Sequence, residues 1–518
     1  MMVSDQARLL CVPVGAWRAN ELSSAASRAA QVADIIELRL DYLSEAELEE
    51  VTPSFLQTLI ASLARPLIIT LRPVEQGGRG ELSFPQRLQF WRRMFEHTQP
   101  TGLFVDLEFE LLSHVRQHEK ELYDSLVQEQ VICSYHDFAG TSLNLNDLYG
   151  RMKNVPARVL KIAVRVDDAV GCVPVFQLLE RARGEGREMI SIAMGEAGVA
   201  TRILAPSRGG FLTYGALDAE HITAPGQISA RALRDLYRVH NINRETVITG
   251  LVGAPVAHSV SPQIHNEAFI HKGINAVYVP FEVKVLSEFI TRMARPRTRE
   301  IDWNLRGFSV TAPHKTEIIQ HLDWVDPTAR EVGSINTVVV EGDALHGYNT
   351  DTAAAINPLQ EITELRGCHA AVIGAGGAAR SLVWGLRKAG VGVTVFARNS
   401  ARAAKLASEF DVSHAPLEAA RFNEFDVVIN ATTLGTRGGS SEQKTPATAE
   451  QLRGARIAYD LVYNPVQTSF TRAAAQAGCE TINGLAMLVG QAVEQFELWT
   501  GEDAPRDVMR RAAVKACS

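Results

Sequence analysis

A short apolar run followed by a longer, more polar interval recurs along the first part of the chain. The runs are LLCVPV (9–14), DIIELRL (34–40), LIITLR (67–72), LFVDLE (103–108), VICSY (131–135), VLKIAV (159–164), MISIAM (189–194) and FLTYG (211–215). Apolar runs of this length, separated by helical intervals, are typical of strands that alternate with helices. Eight such units predict an α/β fold of the (β/α)8 barrel type, which we place at residues 1–240.

The pattern restarts near residue 241, where NINRETVITGLVGAPVAHS opens a new α/β unit. Further along, ELRGCHAAVIGAGGAARSLVWGLRKAG contains a strand, a glycine-rich turn and a helix, the arrangement that opens a nucleotide-binding Rossmann unit. We therefore predict a second α/β domain at residues 241–518.

Charged residues lie on one face of the second predicted strand. Glu37, Arg39 and Asp41 alternate with aliphatic residues, so a period of two turns all three toward the same side. In a barrel that side is the interior, and reactive groups gather at the carboxyl ends of the strands. The same geometry predicts further inward polar groups: Thr70, Arg72, Lys161 and, just past the fifth strand, His136.

Lys161 is the strongest candidate for a reactive group in this interior. A lysine surrounded by an apolar strand and fixed cations is expected to lose basicity, and a neutral amine attacks ketones to form a Schiff base. A nearby histidine moves protons at the adjacent carbon, and paired arginines suit a carboxylate ligand. These residues indicate imine-assisted elimination or aldol cleavage on a small acid; the alternative is a salt-bridged interior without chemistry.

The glycine-rich turn of the second domain indicates a dinucleotide. Gly374, Gly376 and Ala379 fit the fingerprint in which backbone amides face a pyrophosphate, although a plain tight turn is the alternative. NAD binders usually carry an acid after the next strand, but here Arg398 follows it, with Arg402 and Lys405 behind. This charge favours NADP(H), whereas Arg402 and Lys405 also suit a solvated helix face.

Charge and cysteine content exclude other classes. The formal net charge is −7 and no basic block occurs, which argues against nucleic-acid binding. No apolar run approaches the roughly 20 residues of a membrane span, and we expect no signal or transit peptide. No CxxC pair occurs among the cysteines, so we expect a reduced cytoplasmic protein without a metal site; the oligomeric state is left open.

The front half resembles the type I 3-dehydroquinate dehydratases, because ELRLD, TLRP, SYHDF, KIAV and APGQI occur in that family's order. The resemblance implies that Lys161 forms an imine with 3-dehydroquinate and that His136 is the general acid and base. It also implies substrate contacts from Glu37, Arg39, Arg72, Arg202, Thr223 and Gln227.

One position departs from that family. The family usually has a glutamate before the Gly-Gly that follows strand three, and that glutamate helps to orient the histidine. In RPVEQGGRG this place is taken by Gln76, with Glu75 one residue earlier. Gln76 keeps the hydrogen-bonding capacity but not the charge, so we expect a lowered histidine pKa and slower turnover than in a Gln76→Glu variant.

The back half resembles the shikimate dehydrogenases over nearly all of residues 246–518, through AHSVSP, SVTAPHK, GSINTV, GYNTD, NATTLGT, YDLVYNP and GLAMLVGQAVEQFELW. The resemblance implies a catalytic pair, Lys315 and Asp351. Substrate contacts are implied for Ser259, Ser261, Thr311, Asn336, Tyr463 and Gln491. Helix capping is an alternative role for Ser259 and Asp351.

This resemblance also divides the second domain. It implies a substrate lobe at about 246–360, completed by C-terminal helices at about 485–518, and an NADP-binding lobe at about 366–484. Cofactor contacts are expected from Gly374, Gly376, Gly377, Ala378, Arg398, Asn399 and Met487.

The two resemblances together predict a fused enzyme that acts on 3-dehydroquinate, 3-dehydroshikimate and shikimate. Three alternatives stay open from the sequence. They are an NAD-dependent quinate/shikimate dehydrogenase, a chain whose dehydratase half is weakened by Gln76, and a non-catalytic ligand sensor.

Overall fold

A computed structural model describes residues 8–96, 100–140, 144–218, 223–439 and 441–517. The chain forms two compact units. The first runs to Thr246 and includes the later segments Val279–Ala294 and Thr298–Asn304; the second contains the remainder. No helix among the described residues is long and apolar enough to cross a membrane.

The first unit contains the predicted parallel strands. They are β1 (Leu9–Gly15), β2 (Ile35–Arg39), β3 (Leu67–Thr70), β4 (Leu103–Glu108), β5 (Val131–Asp137), β6 (Val159–Arg165), β7 (Glu188–Met194) and β8 (Leu212–Tyr214). Their order in the sheet is β7-β6-β5-β4-β3-β2-β1-β8, and a parallel bridge from Met189 to Gly210 nearly closes the barrel. The predicted eight-stranded barrel is therefore confirmed.

Helices follow the strands, as the polar intervals predict. They are α1 (Ala19–Ala30), α2 (Glu45–Glu49), α3 (Pro53–Leu63), α4 (Phe84–Phe95), α5 (Phe109–His118), α6 (Lys120–Ser125), α7 (Leu145–Met152), α8 (Val173–Gly184) and α9 (Val199–Leu204). Local chemistry sets several starts: the Thr52 side chain accepts the Phe55 N–H before Pro53, and Ser83 forms a capping box with Gln86. Inside the barrel, aliphatic residues such as Ile68 and Ile132 fill the core.

A mixed six-stranded sheet follows, in the order β10-β9-β11-β13-β14-β12. Its strands are β9 (Val247–Gly253), β10 (Ala276–Glu282), β11 (Gly307–Val310), β12 (Trp324–Val325), β13 (Thr337–Glu341) and β14 (Ala344–Tyr348). The helices up to the next sheet are α10 (Ser261–Lys272), α11 (Leu286–Phe289), α12 (Pro327–Val332) and α13 (Asp351–Gln360).

The last sheet is parallel and has the order β17-β16-β15-β18-β19-β20. Its strands are β15 (His369–Ile373), β16 (Gly392–Ala397), β17 (Ser413–Pro416), β18 (Val427–Asn430), β19 (Ile457–Asp460) and β20 (Glu480–Ile482). The helices are α14 (Gly377–Lys388), α15 (Ser400–Phe410), α16 (Ala449–Leu452), α17 (Ser469–Ala477), α18 (Leu485–Thr500) and α19 (Arg506–Cys517). Counted within this sheet, the order is 3-2-1-4-5-6, the Rossmann arrangement, in which ligands bind at the carboxyl ends of the two neighbouring strands where the order reverses, here β15 and β18.

Candidate active sites

A pocket opens at the carboxyl ends of the barrel strands. It brings together all eight residues that the sequence assigns to the dehydratase site. They are Glu37, Arg39, Arg72, His136, Lys161, Arg202, Thr223 and Gln227. The remaining lining is largely apolar, including Ile192, Met194 and Phe138.

The amine of Lys161 is buried and contacts three oxygen atoms. Its Nζ lies 2.9 Å from Asp106 Oδ2, 3.3 Å from Glu37 Oε1 and 2.8 Å from the Tyr214 hydroxyl. The nearest charged groups are thus carboxylates, whereas we expected fixed cations around this amine; Arg72 is the neighbouring cation and shares Asp106 Oδ2 with Lys161. The reason is that Asp106 on β4 also points inward, so Lys161 is ion-paired on two sides before substrate arrives.

Two of the arginines are held by neighbouring acids and hydroxyls. Arg72 donates to Ser134 Oγ at 2.7 Å and to Asp106 Oδ2 at 2.8 Å. Arg39 makes a two-point ion pair with Asp41, with both N···O distances at 2.8 Å. Asp41 lies in the turn after β2 and is not among the pocket-lining residues. It therefore orients Arg39 and does not itself face the pocket.

Arg202 differs from these arginines because it forms no ion pair with a carboxylate in the described part of the chain. It is 2% exposed, its Nη2 donates to the Pro225 carbonyl at 3.1 Å, and its Nε has no hydrogen-bond partner among the described residues. Burial lowers the pKa of its guanidinium to about 10. A buried cation that lines a pocket and has no ion pair among the described residues is suited to bind an anionic group.

Thr223 and Gln227 both line the pocket and contact each other. The Gln227 amide oxygen accepts the backbone N–H groups of Thr223 at 2.8 Å and Ala224 at 3.3 Å. These contacts fix which end of the amide is oxygen, so the NH₂ end is the one that faces away from the Thr223 backbone.

His136 lies inside β5 and not beyond it, because the strand continues to Asp137. Its Nδ1 is buried and has no hydrogen-bond partner in the described part of the chain. Burial, followed by the nearby charges of Arg72 and Lys161, holds the pKa of the imidazole well below its usual range. The ring is therefore neutral near pH 7 and able to accept a proton.

Gln76 lines the pocket, and its Nε2 donates to Glu110 Oε2 at 3.1 Å. Its Oε1 is buried without a partner among the described residues. No hydrogen bond joins it to His136 in the described part of the structure, so an orienting contact is not present in this state.

We expect a Gln76→Glu exchange to raise the pKa of His136, because a carboxylate favours the imidazolium form. The acid side of the pH–rate profile should move to higher pH, since activity needs the neutral ring, and turnover should rise. Glu110 stands beside the new carboxylate, so a Gln76→Glu/Glu110→Gln variant tests the same effect without repulsion. Glu75→Gln, at a mostly exposed side chain, is the control. Identical pH–rate profiles in wild type and both variants would contradict this prediction.

A second pocket lies within the second unit, beside the crevice of the parallel sheet. It brings together ten of the predicted residues: Ser259, Ser261, Thr311, Lys315, Asn336, Asp351, Ala378, Tyr463, Met487 and Gln491. Five predicted cofactor residues are not part of its lining: Gly374, Gly376, Gly377, Arg398 and Asn399.

Lys315 and Asp351 form a close ion pair in this pocket, with 2.6 Å between Nζ and Oδ2. The other carboxylate oxygen of Asp351 accepts a hydrogen bond from Asn336 Nδ2 at 2.8 Å. Asn336 also joins the Thr350 hydroxyl and backbone, so its amide is used to hold Asp351 and the start of α13. Asn336 therefore holds one carboxylate oxygen of Asp351, and the other oxygen holds the Lys315 amine.

The structure supports the alternative role of helix capping for Ser259 but not for Asp351. Ser259 Oγ accepts the N–H of Ser261, the first residue of α10, at 3.2 Å, and it also lines the pocket. Asp351 does not cap α13; that helix is capped by Asn349, whose Oδ1 accepts the Thr352 N–H at 3.0 Å. The Asp351 carboxylate is left for Lys315 and Asn336.

Tyr463 and Gln491 both line the pocket, and they offer different hydrogen-bonding groups. Burial raises the pKa of the Tyr463 hydroxyl, so it stays protonated and available as a donor. The Gln491 amide NH₂ donates to the Leu488 carbonyl of its own helix at 2.8 Å, so its oxygen is the end turned toward other partners.

The glycine-rich turn has the form that a dinucleotide requires. Gly374 has φ of 120°, and a β-carbon there would lie 2.8 Å from the Ala431 carbonyl oxygen, so only glycine fits. Around Gly376 no atom lies within 4 Å of an added β-carbon among the described residues, which leaves space for a ligand beside the start of α14.

Arg398 and Asn399 follow β16 and are exposed. Asn399 Oδ1 accepts the Arg402 N–H at 3.0 Å and so caps α15. Arg402 and Lys405 are exposed on that helix. The donor set after β16 is therefore cationic and free of acids up to Lys405, which fits a 2′-phosphate better than a 2′-hydroxyl.

Two residues that meet the Lys161 amine were missed by the sequence reasoning. Asp106 had a clear signal, because LFVDLE places Asp106 and Glu108 on one face in the same way as Glu37 and Arg39. Tyr214 had a weaker signal, since an aromatic residue at the end of a strand is usually core.

Four family models match the chain. The type I 3-dehydroquinase model matches residues 10–244, and the shikimate dehydrogenase substrate binding domain model matches residues 251–338. The shikimate / quinate 5-dehydrogenase model matches residues 358–459, and the shikimate 5′-dehydrogenase C-terminal domain model matches residues 484–514.

Curated relatives cover the whole chain or its second half. A bifunctional 3-dehydroquinate dehydratase/shikimate dehydrogenase of Arabidopsis thaliana, described as chloroplastic, is 31% identical over 96% of this chain and 83% of its own length. An NADP(+) shikimate dehydrogenase of Symbiobacterium thermophilum is 40% identical over 52% of this chain and 94% of its own. One from Pyrococcus furiosus is 38% identical over 53% of this chain and 97% of its own.

Proposed function

This chain belongs to the family of bifunctional 3-dehydroquinate dehydratase/shikimate dehydrogenases, and we propose how its two pockets divide the two reactions. The barrel, residues 1–240, dehydrates 3-dehydroquinate to 3-dehydroshikimate, and residues 241–518 reduce that product to shikimate. The observation that carries the assignment is the buried Lys161 amine in a pocket with His136 and with Arg202, whose Nε has no hydrogen-bond partner among the described residues.

In the dehydratase, the Lys161 nitrogen attacks the substrate ketone, and loss of water gives an imine. The imine draws electrons from the adjacent carbon, so the proton there becomes acidic. His136 accepts that proton in its neutral form and passes it to the departing hydroxyl group, which leaves as water, and hydrolysis of the imine releases the product. The ion-paired ammonium group must first give one proton to a neighbouring carboxylate, Glu37 or Asp106, because only the neutral amine attacks the ketone.

Arg202 is the group we assign to the substrate carboxylate. It is buried, lines the pocket and has an Nε–H without a hydrogen-bond partner in the part of the chain that the structure describes, so a carboxylate would satisfy both its charge and its hydrogen bonding. Arg39, Arg72, Thr223 and Gln227 line the same pocket and are the proposed partners of the carboxylate and hydroxyl groups.

In the dehydrogenase, Lys315 gives a proton to the oxygen of the ketone as it becomes a hydroxyl, and Asp351 holds the lysine in place. Ser259 and Ser261 are the proposed partners of the substrate carboxylate, and Thr311 and Tyr463 of its hydroxyls. Asn336 acts through Asp351, as its hydrogen bonds indicate.

NADPH is the proposed cofactor, and when bound it supplies the hydride. Gly374 and Gly376 leave room for the backbone to approach a pyrophosphate at the start of α14. Arg398 is the proposed partner of the 2′-phosphate, and Met487 lines the pocket near the reacting end. The curated relatives from Symbiobacterium thermophilum and Pyrococcus furiosus carry NADP(+) in their names.

We expect Arg398→Ala to lower kcat/KM for NADPH about ten- to hundredfold, because a hydrogen bond to a charged group contributes roughly 1.5–3 kcal/mol. The value for NADH should change little, since NADH has no 2′-phosphate. Arg402→Ala is the control, because it removes a neighbouring positive charge. Comparing the two variants separates a direct contact of Arg398 from a general effect of positive charge. An equal loss of kcat/KM with both cofactors would show that Arg398 does not contact the 2′-phosphate.

A product analysis tests the function as a whole. The purified protein is incubated with 3-dehydroquinate, first without and then with NADPH. The products are then separated and identified by mass spectrometry. The expected result is 3-dehydroshikimate alone in the first case and shikimate in the second. Unchanged 3-dehydroquinate in both incubations would overturn the proposal for the barrel, and 3-dehydroshikimate in both would overturn it for the second unit.

The same incubation addresses the open alternatives. Neither the family models nor the bifunctional relative favours a silent dehydratase half or a non-catalytic sensor.

The cytoplasm is the proposed location, although the Arabidopsis thaliana relative is described as chloroplastic.

A further inference from the structure

The hydroxyl of Tyr214 is one of three oxygen atoms around the reacting amine. It lies 2.8 Å from Lys161 Nζ, and the same nitrogen stands 4.4 Å from the centre of the Tyr214 ring. The residue is 4% exposed and ends β8, with its ring in the barrel core. A phenylalanine has the same ring, so filling the core does not explain the hydroxyl.

The other two oxygens belong to carboxylates that are engaged elsewhere. Asp106 is held by Arg72 and Ser134 as well as by Lys161, and these charges lower the pKa of its carboxyl. Glu37 Oε1 accepts the Thr70 hydroxyl at 2.7 Å. An ionised carboxylate only accepts hydrogen bonds, whereas a hydroxyl accepts and donates at the same time.

Imine formation needs a group that can accept one proton and donate another. When the Lys161 nitrogen bonds to the ketone carbon, the carbonyl electron pair moves to oxygen. In the adduct, the nitrogen carries an additional proton and a positive charge, and the oxygen carries a negative charge. Water reaches such a buried nitrogen poorly, because Lys161 is only 4% exposed.

We propose that Tyr214 is a catalytic residue that relays this proton from the Lys161 nitrogen to the substrate oxygen. The phenol oxygen accepts the N–H proton while its own O–H proton passes to the alkoxide, so the tyrosine is unchanged at the end. The neutral carbinolamine then loses its hydroxyl as water, with one further proton that arrives from solvent through His136. This inference rests on the proposed Schiff-base mechanism and adds a residue to it.

Burial agrees with a neutral relay. Desolvation, with the charge of Glu37, raises the pKa of the Tyr214 hydroxyl well above its usual range. The phenol therefore keeps the proton that it must donate and does not form a competing phenolate.

The test is Tyr214→Phe, which removes one oxygen atom and keeps the ring. Tyr149→Phe is the matched control, because Tyr149 is also buried in the barrel but bonds to Glu185 at 3.0 Å, outside the pocket. Enzyme is mixed with 3-dehydroquinate in single-turnover conditions and quenched with borohydride at set times. The adduct on Lys161 is then counted by peptide mass spectrometry.

We expect Tyr214→Phe to form the same final amount of adduct about a hundredfold more slowly, at the low end of the usual range for acid–base catalysis. Tyr149→Phe should match wild type. A second readout uses the product alone: enzyme-catalysed exchange of the 3-dehydroshikimate ketone oxygen with ¹⁸O-water should slow by the same factor, although no proton is removed from carbon.

Mixtures of H₂O and D₂O separate a relay from simple positioning. Two protons move together in a relay, so the wild-type rate should fall along a curve as D₂O increases, and Tyr214→Phe should give a straight line. Equal adduct rates in wild type and Tyr214→Phe, or a straight line for wild type, would overturn the role of Tyr214 alone. Absence of any adduct in wild type would overturn the Schiff-base mechanism as well.

Discussion

Lys161→Ala is expected to lower dehydratase kcat by at least about 10³-fold, the scale of loss seen when a covalent nucleophile is removed. No other amine lines the barrel pocket among the described residues, so no neighbour replaces the imine chemistry. Binding of 3-dehydroquinate should persist, since Arg202 and Gln227 are unchanged. The measurement is the rate of 3-dehydroshikimate formation, with dehydrogenase activity assayed in the same preparation.

Two controls keep this result interpretable. Removing Lys161 leaves the carboxylates of Glu37 and Asp106 with one cation fewer, which destabilises a buried network. Lys161→Arg keeps a positive charge but forms no imine, so it should be equally inactive and better folded. Lys153→Ala removes a more exposed lysine of the barrel and should keep full activity. Substantial activity in Lys161→Arg would contradict the covalent mechanism.

Lys315→Ala is expected to lower dehydrogenase kcat about 10²–10⁴-fold, the usual contribution of a positioned general acid. Both directions should slow, because the same group donates a proton on reduction and accepts it on oxidation. Dehydratase activity in the same preparation should be unchanged. The measurement is NADPH consumption with 3-dehydroshikimate and NADPH formation with shikimate.

The control for this variant is Lys388→Ala, an exposed lysine of the same unit that pairs with Glu331. Asp351→Asn is the complementary variant, since it keeps the shape of the side chain and removes the charge that holds Lys315. It should lower kcat less than Lys315→Ala. If Lys315→Ala kept wild-type kcat in both directions, another group would have to move the proton.

The barrel could be predicted from the sequence because its signal is periodic. Alternation in DIIELRL placed Glu37 and Arg39 inside, and the structure puts both in the pocket. The end of β5 was misjudged by two residues, because His136 and Asp137 are polar and resemble a loop. Strand ends depend on pairing with neighbours, and β5 pairs with β6 as far as Asp137.

The electrostatics of the sites could be predicted only in part. Sequence reasoning placed cations around Lys161 but missed Asp106, so it misjudged the sign of the nearest charges. Contacts between distant segments, such as that of Gln76 with Glu110, have no sequence signature. Likewise, the sequence did not indicate that the amide of Asn336, which lines the second pocket, also holds Asp351 and Thr350.

Borohydride trapping with 3-dehydroquinate, followed by peptide mass mapping, tests the central claim most directly. The account predicts one reduced adduct per chain, carried by the peptide that contains Lys161, and none in Lys161→Arg. An adduct on a different lysine, or complete turnover of 3-dehydroquinate with no trapped adduct at all, would contradict it.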